Sequence, residues 1–246
     1  MRNHRPCGSF FRWAVVALYA LCVMASTETF AESWGRFRGP NGTGVAENTG
    51  SLPVTWSNEK NLVWKTSAAR GSSCPILVKD LIVFTGYSGY GEKLDDPGER
   101  ERLKLHVIAI SRNDGSPQWT LTLNPSPEEQ EATPRVADHG YASPTPCSDG
   151  EHIYAAFGPS GVVCCSLTGK EIWRTSVGTG VAGFGAAASP IVYEDLVYIN
   201  AAIESQSLVA MNKHSGDIVW KVEDINRAWT TPTIVTPKNG TPELVM

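Results

Sequence analysis

The chain lacks several marks that would have named a function class. It has no C-x-x-C pair, so neither a zinc knuckle nor a thioredoxin-type dithiol is encoded. It has no basic excess: 21 Lys and Arg stand against 25 Asp and Glu, a formal charge of −4, which argues against a nucleic-acid surface. No apolar run reaches the roughly 20 residues of a membrane span. The run at residues 13–25 has 13. Beyond it no 3.6-residue apolar period persists, which excludes a helical solenoid. His106, His139, His152 and His214 show no metal spacing. The carboxylates of residues 92–102 are interleaved with Lys93, Arg100 and Arg102, and read as a solvated loop rather than a calcium site. No metal ligand set is expected. Charged residues make up only 19% and hydrophobic residues 41%, so the chain is not a disordered tail.

What is present begins with an address. Arg2, Arg5 and Arg12 frame the start of the apolar run, and Thr29 and Ala31 stand at −3 and −1 of a cleavage point. This is the layout of a secretory signal peptide over residues 1–31. Cys22 follows the run, but Leu21 before it is too bulky for a lipoprotein site. Cleavage removes three Arg and one Glu, leaving 18 basic against 24 acidic residues and a net charge of −6. The expected location is the periplasm, the cell envelope or the medium. Cys74, Cys147, Cys164 and Cys165 remain, in an oxidising compartment where three pairings are open.

The chain then repeats itself. Gly115, Gly169 and Gly216 each precede a tryptophan by four residues: Trp119, Trp173 and Trp220. Trp64 carries the second half of the same pattern, and the four indoles are 55, 54 and 47 residues apart. A second marker lies out of phase, at Cys74-Pro75, Ser143-Pro144, Ser189-Pro190 and Thr231-Pro232. Two short apolar runs follow it, joined by turn residues such as Asp149-Gly150 and Glu194-Asp195. Each repeat therefore predicts four strands. The glycine closes the turn between the third and fourth, where a positive φ favours it. The tryptophan sits mid-strand, Trp220 sharing its face with Ile218 and Val222 while Val219 and Lys221 point away. One such sheet cannot bury an indole alone, so sheets must stack. The prediction is an all-β chain, a β-propeller of four-stranded blades with about three and a half blades present. They span residues 73–123, 142–177 and 188–223, with a lone fourth strand at 61–67 and a part-blade at 231–246. An incomplete ring has open sheet edges, so self-association is expected. No repeat tryptophan is followed by Asp, which sets the WD-type blade aside.

The repeat resembles the quinoprotein-type, PQQ-like or tryptophan-docking repeat over residues 61–246. The likeness rests on Asp114-Gly115, Thr168-Gly169 and Ser215-Gly216 ahead of their tryptophans. The stretch Trp34-Gly-Arg-Phe-Arg-Gly-Pro-Asn-Gly-Thr-Gly44 is similar to the leader of secreted PQQ-like repeat proteins of planctomycete-type bacteria, which makes residues 32–60 an N-terminal leader. The resemblance implies a parent ring of roughly seven or eight blades. It also implies one of two functions. Quinone-dependent alcohol and sugar dehydrogenases hold PQQ and calcium in the central funnel, under a disulfide between adjacent cysteines. Binding propellers such as BamB have no chemistry of their own. Cys164-Cys165 fits the disulfide in sequence only. Both lie in a strand, where successive side chains face opposite sides.

The reading is therefore an exported, non-catalytic propeller that binds a protein or a cell-envelope component, with no cofactor, no nucleic acid and no transmembrane span. A fragment of a PQQ-dependent dehydrogenase and a carbohydrate-binding propeller are the alternatives. Propeller sites are built by loops at one mouth of the channel. The loops between blades are residues 124–141, 178–188 and 224–230. Arg227 and Trp229 of the last are the candidate ligand-facing residues. The four glycines in residues 178–185 are not followed by Lys-Ser/Thr as in a phosphate loop, and read as close backbone packing near the axis.

Overall fold

Alternating apolar residues between Gly, Pro, Asn and Asp turns fold as short antiparallel strands in the computed structural model, which describes residues 34–46, 52–93, 95–130, 140–238 and 240–246. The expected signal peptide and His139 lie outside these residues. The first sheet runs in the order β1 (Ile76–Val78), β2 (Leu81–Ser88), β3 (Lys104–Ser111), β4 (Pro117–Leu123). The second holds β5 (Cys147–Ser148), β6 (His152–Ala156), β7 (Val162–Ser166) and β8 (Glu171–Thr175). The third holds β9 (Ile191–Tyr193), β10 (Leu196–Ala201), β11 (Ser207–Asn212) and β12 (Ile218–Val222). A pair, β13 (Thr233–Val235) and β14 (Glu243–Val245), follows. A short helix, α1 (Pro127–Gln130), lies between the first two sheets in sequence. Among the described residues no helix is long and apolar enough to cross a membrane.

Each sheet packs face to face on the next. Val83, Leu105 and Val107 of the first meet Ile153, Val163 and Cys165 of the second. Tyr154 and Cys164 on the opposite face meet Val197, Val209 and Met211 of the third. Tyr198 and Ala210 then meet Ile234 and Leu244. The described residues form an arc of a β-propeller, with three four-stranded blades and two strands of a fourth. In each full blade the last strand shifts register opposite the same point, between Ala109 and Ile110, Cys164 and Cys165, and Ala210 and Met211. The shift sets Trp119, Trp173 and Trp220 at one equivalent position.

A hydrogen-bond ladder joins the blades just before their first strands. Cys74 N donates to Thr145 Oγ1 (3.0 Å), Thr145 N to Ser189 Oγ (2.9 Å), and Ser189 N to Thr231 Oγ1 (3.0 Å). This corrects one reading of the sequence. The second repeat's marker is Thr145-Pro146, not Ser143-Pro144, since Thr145 occupies the ladder position and β5 starts directly after Pro146. Thr145 is buried. Thr145→Val keeps its shape but strands the Cys74 amide, and is expected to lower stability by about 1–3 kcal/mol in a urea titration. An unchanged midpoint would show that the ladder is incidental.

Two further expectations differ from the structure. Residues 61–67 form no strand ladder, although Trp64 is seated as described below. On β12, Ile218 is 39% exposed and Val222 52%, as is Val219 at 55%, because among the described residues no sheet lies over that strand.

The leader crosses the inner strands. Trp34 O accepts from Leu77 N of β1 (3.0 Å), and Gly35 O from Ser148 N of β5 (2.8 Å). Arg36 Nη2 donates to Thr233 Oγ1 of β13 (3.1 Å). One short segment thus touches the first, second and fourth blades.

Candidate functional site at the blade seams and interblade loops

The repeated glycines and tryptophans meet between blades rather than within them. Trp64 Nε1 donates to Arg112 O (3.0 Å), Trp119 Nε1 to Leu167 O (2.8 Å), and Trp173 Nε1 to Lys213 O (3.0 Å). Each acceptor belongs to the turn that holds the next blade's glycine. Gly115, Gly169 and Gly216 have φ of 71°, 80° and 77°. Each also lies flat under the incoming ring: a Cβ on Gly115 would stand 2.5 Å from Trp64, and one on Gly169 or Gly216 2.7 Å from Trp119 or Trp173. Turn geometry and indole clearance both demand glycine there, and only the first demand was foreseen. Trp220 has no such seat among the described residues and packs instead on Tyr198, ring centroids 5.8 Å apart.

Two of the loops between blades, residues 178–188 and 224–230, meet each other. Trp229 Nε1 donates to Gly185 O (2.9 Å), and its ring meets Phe184 edge-on, centroids 6.2 Å apart. These two rings, Ser143 and Ala187 line an open recess of about 410 Å³. Asn200 fixes the loop from below: its Nδ2 donates to Thr230 O (2.9 Å) and its Oδ1 accepts from Ala202 N (3.0 Å). Arg227 is exposed and stands apart from the recess. The glycine-rich loop packs closely on the turn after β10, with Gly180 N donating to Glu204 O (2.8 Å).

Beneath the recess lie two carboxyls that no sequence pattern singled out. Glu129 of α1 and Glu204 of the turn after β10 are 6% and 8% exposed. Their Oε2 and Oε1 lie 3.2 and 3.6 Å from one point, where a Cβ of Gly158 would stand. Ser160 Oγ donates to Glu129 Oε2 (3.4 Å), and Ser126 Oγ accepts from Glu129 N (3.3 Å). Burial pushes the Glu129 carboxyl up to about 8, against the Ser160 hydrogen bond and helped by the charge of Glu204. Burial likewise pushes Glu204 up to about 7. A pit of about 10 Å³ lined by Gly158, Ala186, Asn200, Glu204 and Trp229 opens beside the pair. It shares Ala187 and Trp229 with the larger recess.

A family model described as outer membrane protein assembly factor BamB matches residues 103–239, more than half of the chain. The chain belongs to the BamB family. No curated protein sequence matches it. Among solved structures, BamB from Moraxella catarrhalis is similar over 70% of this chain and 44% of its own, at 17% identity and a TM-score of 0.46. A quinohemoprotein alcohol dehydrogenase from Comamonas testosteroni is similar over 78% of this chain and 27% of its own, at 14% identity and a TM-score of 0.51. A europium-containing methanol dehydrogenase is similar over 64% and 25%, at 16% identity and a TM-score of 0.42. This BamB-family chain thus spans less than half the length of those structures, and the likeness to them is one of fold.

The cysteines test the quinone alternative. Cys164 faces the core between the second and third blades, and Cys165 the core between the first and second. Both are free thiols, pushed up to about 12 by burial. Sulfurs on opposite faces of β7 cannot close the adjacent-cysteine bridge that covers a quinone, so these residues do not fit that group. Cys147 is a buried free thiol and Cys74 an exposed one. Among the described residues no three His, Cys, Asp or Glu side chains converge on a metal position.

Proposed function

We propose that the chain is an exported, non-catalytic propeller that binds a protein or a cell-envelope component through the recess beside Trp229 and Phe184. The observation that carries this reading is the recess itself. It is an aromatic and aliphatic hollow built by loops on a rigid arc, the form a binding site takes. The family's description as an outer-membrane assembly factor supports an envelope role, and the signal-peptide layout of residues 1–31 supports export. The opposed Cys164 and Cys165 weigh against the dehydrogenase alternative. The test is spectroscopic: purified protein supplied with PQQ and calcium is expected to show no stoichiometric quinone absorbance and no dye reduction with alcohols or sugars. Turnover of either would overturn the reading.

Self-association belongs to the same proposal. Val219 and Val222 on the uncovered β12, with Val63 beside Trp64 at 87% exposure, leave apolar surface at both ends of the arc. The 246-residue chain expressed alone is expected to sediment as oligomers. A monodisperse monomer that melts cooperatively would count against it.

A further inference from the structure

We propose that the exposed hairpin at residues 52–67 completes the fourth blade of a second copy of this chain, so that two copies close one ring of about eight blades. The proposal rests on the self-association reading above and names its contact. The turn of this hairpin repeats the one that joins the third and fourth strands of every full blade. Ser57 N donates to Lys60 O (3.0 Å), as Ser111 N does to Ser116 O (2.8 Å), Ser166 N to Lys170 O (2.9 Å) and Asn212 N to Asp217 O (2.8 Å), over a turn one or two residues shorter. The side-chain oxygen of each first residue also accepts from the amide two residues on: Glu59 N, Asn113 N, Thr168 N and His214 N, at 2.9–3.3 Å. Four residues after Ser57, Asn61 has φ of 60°, where Gly115 and Gly216 stand four after Ser111 and Asn212 at 71° and 77°. Asn is the side chain that most readily follows glycine into that region. Asn61 Nδ2 braces the two arms by donating to Thr55 O (2.8 Å). Trp64 follows Ser57 by seven residues, as Trp173 follows Ser166, and docks on the first blade as a fourth strand's tryptophan does. Residues 52–67 are thus third- and fourth-strand material without a first and second. β13 and β14 are a first and second strand without a third and fourth among the described residues. Within one copy the hairpin does not pair with β14.

Alternation decides which side chains meet. In β7 and β11 the residues one and three before the turn face the preceding blade: Cys165 and Val163 meet the first, Met211 and Val209 the second. The matching residues of the hairpin are Trp56 and Val54, with Leu52 next in line, and they are 68%, 89% and 64% exposed. The blade that precedes a fourth is the third, where Ile218 and Val222 are the exposed apolar residues beside Trp220. Each apolar stripe therefore covers the other. Trp220 also gains the seat it lacks. Trp64, Trp119 and Trp173 donate to the second residue of the turn, Arg112, Leu167 and Lys213. The matching acceptor is the partner's Asn58 O. Asn61 brings a Cβ where the other seats have none, so Trp220 must tilt and this seam is the weaker one. Pro53 has no amide to give, which confines the ladder with β14 to residues 54–57. Each copy supplies strands for four blades. Two copies reach the upper end of the usual range of roughly 4–8 blades, and three exceed it.

The test is sedimentation velocity of the full chain over a wide concentration range, with cross-linking. A discrete dimer that does not grow is expected, because a head-to-tail contact that closes stops there. Val54→Asp combined with Trp56→Asp is expected to give a monomer. Both side chains are exposed within a copy, so the circular dichroism should not change. Trp220→Phe keeps a ring but loses the N–H, and should weaken the dimer roughly three- to tenfold. In a Cys74→Ser background, a chain with Val54→Cys mixed with a chain with Val222→Cys is expected to be joined by a short bis-maleimide. Glu151→Cys in place of Val222→Cys is not. The cross-link needs no disruptive change, so it decides the matter even if the double variant fails to fold. Species that keep growing with concentration would retain self-association and overturn the closed ring. A dimer indifferent to the double variant, or one that yields no cross-link, would overturn the hairpin as its contact. A monomer would overturn both this proposal and the self-association reading, and leave the recess and its quinone test standing.

Discussion

Gly169→Ala is expected to cost the chain about 3–5 kcal/mol of stability, and Gly150→Ala only about 1–2. Both glycines have positive φ, 80° and 90°. A Cβ on Gly150 meets nothing within 4 Å, so its substitution measures the backbone cost alone. A Cβ on Gly169 stands 2.7 Å from Trp119, whose indole is also held by Leu167 O, so the ring must leave its seat. The difference between the two variants, read from urea midpoints, isolates the docking of one blade on the next. Trp119→Phe should recover part of the Gly169→Ala loss, because the smaller ring clears the added methyl. Equal costs at Gly169 and Gly150 would mean that the seams contribute little.

The stability of the wild-type chain is expected to fall as the pH is raised from 5 to 9. Glu129 and Glu204 have pKa values near 8 and 7 when folded, against an ordinary 4.5. The folded chain holds protons that the unfolded chain has released. Their contribution is complete below about pH 4.5 and is lost as the pH rises through 7 and then 8. At about 1.4 kcal/mol per pKa unit, Glu129 alone accounts for on the order of 4 kcal/mol, and the coupled pair for less than the sum of its members. Glu129→Gln should flatten the profile and be the more stable protein at pH 9, by a few kcal/mol, while differing little at pH 5. His106, held low by burial, acts in the opposite sense but is common to both proteins. Parallel profiles for wild type and variant would sink the assignment.

The seams were legible in sequence because one constraint recurs at one spacing. Three Gly-x-x-x-Trp pairs announce themselves without any knowledge of what touches what. The partner of each tryptophan was not legible. It lies a whole blade onward, 48 residues for Trp119 and Leu167, and no local pattern records it. The second Pro marker misled for a simpler reason. Ser143-Pro144-Thr145-Pro146 offers two registers, and only the ladder to Cys74 and Ser189 selects the later one. Glu129 and Glu204 were invisible because each looks like an ordinary surface acid on a polar turn. Burial comes from Gly158 and Ala186, brought in by other loops. Arg227 is the converse case: sequence grouped it with Trp229, and it is exposed while only the aromatic ring lines the recess.

The leader carries a consequence of a different kind. Seams and ladder bonds pass from each blade to its neighbour, so small angular errors add up along the arc. Residues 34–36 instead join the first and second blades to the fourth, which neighbours neither, binding β1 and β5 through carbonyls and β13 through Arg36. A chord of that sort senses accumulated curvature, which no single joint can. The segment outside the repeats therefore adds a constraint on curvature that the repeats themselves do not supply.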